Sequence, residues 1–143
     1  MSLPSYVVNW DELKDLLESA LGDYVVKTLR DVEGAQRIRG FAESVPALNN
    51  SFVVAEWIAP VNCVFTGVAY SQSAWNAEDN WDLYVSGEKV FSNIHTKELG
   101  EHKTWDIVHP INNGDVVQIV LNNESGSSKN VWCDIEYIEL KKN

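Results

Sequence analysis

"WIAPVNCVFTGVAYSQSAWNAEDNWDLYVSGEKVF" spans residues 57–91, and its reading decides the fold. The run at residues 63–70 is apolar almost without interruption, which predicts a strand buried on both faces. A polar loop over residues 71–80 follows, with Trp75 inside it and Trp81 just beyond. A second short strand, residues 83–85, leads to a tight turn at Ser86-Gly87-Glu88, and the chain returns through Val90 and Phe91.

The same grammar extends downstream. Short strands are expected at residues 94–96 and 104–108, with a polar turn at 99–103 between them. His109 to Asp115 carries several turn signals, Pro110 and Asn113-Gly114 among them. Residues 116–121 form a strongly apolar strand, and 122–130 a turn rich in Gly, Ser and Asn. The closing strand, residues 131–140, alternates Val131, Cys133, Ile135 and Tyr137 on one face against Trp132, Asp134 and Glu136 on the other.

Upstream, residues 52–58 read as a strand that Pro60 stops, because proline donates no ladder hydrogen bond. Residues 46–51 are a loop. Residues 24–29 are β-branched and aromatic, Asp31 to Gly34 reads as a turn, and a polar strand around Ile38 closes at Gly40-Phe41. These two segments suit an edge hairpin, where Arg37 and Arg39 discourage unwanted pairing. One helix is expected, over residues 9–21. Asn9 and Glu12 can form a capping box, Trp10, Leu13, Leu17 and Leu21 make an apolar stripe, and Gly22 ends it. Many short strands with regular turns and no alternating helices argue an all-β, jelly-roll-like β-sandwich with one N-terminal amphipathic α-helix.

The 143 residues are expected to form a single domain, residues 1–143, with the sandwich over 24–140. A formal charge of -10 argues against nucleic acid, since nothing here would displace phosphate counterions, and it would be repelled by an anionic membrane surface. No basic segment followed by an apolar run opens the sequence, so no secretory signal is expected. Cys63 and Cys133 both sit in apolar strand patterns and are expected as buried, reduced thiols.

Glu78, Asp79, Asn80 and Asp82 offer oxygen ligands of the kind that suit Ca²⁺, but the spacing lacks the glycine and distal glutamate of a helix-loop-helix calcium site. A solvated acidic loop over residues 76–82 is the expectation. His95, His102 and His109 recur every seven residues, a spacing that does not bring three imidazoles together on strands. No nucleophile elbow, phosphate loop or dinucleotide fingerprint is present, so neither a catalytic residue nor a cofactor is assigned. The six tryptophans are the more informative feature. Trp75 and Trp81, with Asp82 beside them, are the candidate contacts for a ligand or partner, because flat aromatics near polar groups stack on sugars or anchor protein contacts; the alternative for any one tryptophan is core packing or loop pinning.

"NWDLYVSGEKVF" (80–91), "NNGDVVQIVL" (112–121) and "VWCDIEYIEL" (131–140) together resemble jelly-roll modules of phage tail tips. "NWDELKDLLESAL" (9–21) is similar to the amphipathic helix opening small tail or baseplate proteins of siphophages that infect Gram-positive bacteria, a class that includes the shoulder domain of lactococcal-type receptor-binding proteins. The resemblance implies a non-enzymatic virion component of the tail, made in the host cytoplasm. The apolar stripe of Trp10, Leu13, Leu17 and Leu21 would either associate with copies of itself and with other tail proteins or cap one open end of the sandwich. A second resemblance, at Tyr137-Ile138-Glu139-Leu140, is to the last strand of carbohydrate-binding β-sandwiches. It implies the alternative of a module that binds a cell-surface saccharide through Trp75 and Trp81, and it carries over no sugar-binding residue.

Overall fold

The computed structural model describes residues 34–140, without the side chains of residues 106–108. The helix expected over residues 9–21, with Trp10, Leu13, Leu17 and Leu21, and the strand expected over 24–29 lie outside the described residues. The described elements are β1 (Gly34–Val45), β2 (Ser51–Ile58), β3 (Cys63–Gln72), β4 (Asn80–Val85), β5 (Glu88–His95), β6 (Glu101–Ile111), β7 (Val116–Asn122) and β8 (Lys129–Leu140).

They form two four-stranded antiparallel sheets, ordered β1-β8-β3-β6 and β2-β7-β4-β5. The pairing is nested. The innermost pair is the β4–β5 hairpin, and around it lie β3 with β6, β2 with β7 and β1 with β8. One long hairpin rolled on itself gives this order, and it divides the nested pairs alternately between the two sheets.

The hairpin at the centre follows from local chemistry. Ser86 and Gly87 both take positive φ, 51° and 83°, the backbone of a two-residue turn whose twist matches its strands. Between the sheets lies one core, in which Phe65, Trp81, Leu83, Ile119, Leu121 and Ile135 are fully buried. Its aromatic members lock together: Tyr70 stacks on Trp81 at 5.4 Å, and Trp105 meets Phe65 and Phe91 edge-on at 4.7 and 5.4 Å.

Burial of β3 on both faces is as its composition predicts. Phe65 and Val68 point into the core, while Val64 is buried outside it, flanked in register by Pro110 and Ile138. Two expected turns are strand instead. β6 begins at Glu101, inside the turn expected at 99–103, and runs through His109 and Pro110 to Ile111. Pro110 is tolerated because β6 is an edge strand with β3 as its neighbour in the sheet. β1 likewise continues past Gly40-Phe41 to Val45, and among the described strands it lies at the opposite side of the same sheet.

Candidate functional site

The loop of residues 73–79 and the start of β4 carry the residues to which the sequence drew attention, and the fold separates them. Trp75 follows Ala74, which has a positive φ of 49°, and is 42% exposed. Trp81 is 0% exposed, its ring stacked on Tyr70 and its indole N–H donating to Glu101 Oε1 at 3.2 Å. The expectation of a Trp75–Trp81 stacking platform is therefore corrected: Trp81 faces the core, and no sugar can reach its ring. Asp82 is also buried and serves the backbone, accepting from Asn93 N at 2.7 Å and Asn122 Nδ2 at 3.0 Å. Asn93 has a positive φ of 55°, so Asp82 pins the irregular pairing between β4 and β5.

The acidic loop is likewise not a simple solvated one. Asp79 is completely buried, and its carboxylate pairs with the equally buried ammonium of Lys129, at the start of β8. Ser125 N and Oγ, at 3.0 and 3.1 Å, and Gln72 Nε2, at 3.1 Å, complete its donors. Burial alone would push the Asp79 carboxyl up, but these donors outweigh it and hold the group below the usual carboxylate range. The neighbouring Asn123 gathers the carbonyls of Leu48 and Ser127, at 3.1 and 3.0 Å. These side chains knit three loops at one end of the sandwich. Their lone pairs and protons are spent on each other, so the arrangement is a structural cross-link. Among the described residues no group of three metal-ligating side chains converges. The histidines also go separate ways: His95 Nδ1 lies 3.1 Å from Ala77 O, His102 pairs with Glu136, and His109 lines an apolar cavity.

Two hollows remain. One, of about 300 Å³, opens between the edge strands β5 and β6 and is lined by Phe65, Val90, Phe91, Trp105, His109 and Pro110. The other, also of about 300 Å³, lies on the outer face of the β1-β8-β3-β6 sheet between Trp132 and Asp134 on one side and Gly100 and His102 on the other. Trp132 is 47% exposed. The alternation along β8 already set it opposite Val131, Cys133 and Ile135, the signal by which sequence alone could have singled it out.

The fold is similar to a chain of the solved structure described as "Cyanophage Pam1 capsid asymmetric unit", with 16% sequence identity, a TM-score of 0.54, and coverage of 74% of this chain and 86% of that one. At this identity the likeness is one of fold. No protein of curated function matches the chain. Residues 33–142 match the family model described as "Domain of unknown function (DUF8551)", and the chain belongs to that family.

Proposed function

We propose that this protein is a non-enzymatic structural component of a phage particle, folded as a jelly roll. The observation that carries the reading is the nested strand pairing, which is the wiring of double-sheet jelly rolls, a form common among viral capsid and lectin domains. The fold likeness to a chain of a cyanophage capsid structure supports the same class. Side-chain chemistry agrees with it. The buried titratable groups Asp79, Lys129 and Asp82 are engaged in holding loops and a strand irregularity.

Within the particle, the resemblance of residues 80–91, 112–121 and 131–140 to tail-tip modules favours the tail. Self-association through the stripe of Trp10, Leu13, Leu17 and Leu21 would multiply the module there, since self-complementary patches usually close into symmetric assemblies. The test is made on purified particles of the virus that encodes the chain. Peptides of this protein should be found in them at stoichiometric yield, and gold-labelled antibody should decorate the tail. Label on the head would move the protein to the capsid. Particles free of the protein would overturn the virion reading altogether.

A further inference from the structure

The outer face of the β1-β8-β3-β6 sheet carries a pattern that neither folding nor the particle reading requires. Along β8 the outward residues are Trp132, Asp134 and then Glu136, because Val131, Cys133 and Ile135 face the core. Their cross-strand neighbours are nearly all small. Trp132 lies between Ala42 and Ser71, Asp134 between Gly40 and Ala69, and Glu136 has Gly67 beside it on β3. An aromatic ring on a sheet surface ordinarily packs against large cross-strand partners. Here it has none in register, and nearly half its surface stays in water.

On the far side of β3 the next wall is His102, in register with Ala69, and Gly100, which approaches Ser71 so closely that an added Cβ would lie 3.3 Å from Ser71 Cβ. The pairing of His102 with Glu136 ties the two walls together at one end. The result is a slot one strand wide, floored by Ala69 and Ser71, with an indole and a carboxylate on one wall and an imidazole on the other. β8 and β6 are two strand spacings apart, about 9.6 Å between backbones, room for one six-membered ring and its substituents.

We propose that this slot binds a neutral pyranose unit of a saccharide, with Trp132 stacking on the apolar face of the ring and Asp134, Ser71 and His102 taking its hydroxyls. The chemistry selects this occupant. A half-exposed indole can offer a flat apolar surface to the CH face of a sugar, and a carboxylate two residues along the same strand accepts two adjacent hydroxyls. Charge selects a neutral sugar over an anionic one, since Asp134 and Glu136 flank the slot and the whole chain carries -10. The slot is far smaller than the area a stable protein partner covers. This inference goes beyond the particle reading and does not depend on it, since it concerns the isolated domain.

The test is an NMR titration of the full, ¹⁵N-labelled chain with methyl β-glucoside, cellobiose, lactose and diacetylchitobiose in turn, to tens of millimolar, with sialyllactose as the anionic comparison. At least one neutral sugar should move the Trp132 indole N–H together with the amides of Ser71 and His102, saturating at roughly millimolar concentration. The Trp75 indole should stay still. Trp132→Ala should weaken binding at least about tenfold, equivalent to 1.4 kcal/mol, and Asp134→Asn should weaken it less. Ala69→Leu fills the slot from its floor with Trp132 in place and should abolish the shifts, which covers the case of a misfolded Trp132 variant. The inference is overturned if no neutral sugar moves Trp132, if the shifts persist in both variants, or if sialyllactose binds equally well. It is also overturned if Trp132→Ala dissociates an oligomer in sedimentation, because the face would then be an interface between copies.

Discussion

Lys129→Met tests whether the buried pair with Asp79 holds one end of the sandwich together. Both side chains are 0% exposed, so neither charge has water to fall back on once its partner is gone. After the substitution, Asp79 keeps Ser125 and Gln72 as donors but loses the charged one. Breaking a buried pair from one side costs about 3–5 kcal/mol. For 143 residues the unfolding entropy is about 0.3 kcal/mol per kelvin, so the melting temperature should fall by about 10–17 °C. Asp79→Leu combined with Lys129→Met removes both charges and should recover most of that loss, because two apolar groups leave nothing desolvated.

The pH dependence has a definite sign. Asp79 sits below the usual carboxylate range in the folded chain. Its contribution is therefore complete above the unfolded value, about 3.9, and is lost as pH falls through the folded one. In Lys129→Met the carboxylate lacks its cation while burial still disfavours its charge, so acidification should narrow the gap to the parent. Urea unfolding of the three proteins at neutral and acid pH measures all of this. A single-variant loss below about 1 kcal/mol, the range of exposed pairs, would refute the reasoning, as would a double variant no better than the single one.

Trp81→Ala should cost about 3–5 kcal/mol in the same urea assay, the range for emptying a large aromatic site, while Trp132→Ala on the outer face should stay within about 0.5 kcal/mol. Equal losses at the two positions would contradict their opposite placement. Cys63 and Cys133 are free and buried, and burial pushes their thiols up to about 11 and about 12. Both should react with a thiol reagent at neutral pH only after denaturation, and fast reaction of either in the native protein would count against the core described here.

Much of the architecture was legible from residues alone, for a local reason. Strand alternation has a period of two, so β8 announced its inward Val131, Cys133 and Ile135 and its outward Trp132 and Asp134 without knowledge of its neighbours. The unbroken apolar run of β3 announced a strand covered on both faces, and Ser86-Gly87 announced the hairpin. Position in the sheet, by contrast, is not local. Pro110 and His109 carry turn signals, yet they continue β6 because an edge strand tolerates a missing donor.

Which tryptophan meets water was decided only by tertiary structure. Trp81 and Trp132 both lie among alternating polar and apolar residues, but β4 is turned so that Trp81 meets Tyr70 across the sandwich, whereas Trp132 points off the opposite sheet. The same holds for Asp79, read from its polar neighbours as a solvated acid. Its burial depends on Lys129 and Ser125, about fifty residues further along the chain, and only the closure of β8 beside β3 brings them to it. A sequence lists charges and apolar groups in order. Which of them meet is set by pairing between distant strands, and a buried charge or an uncovered ring is a property of that meeting.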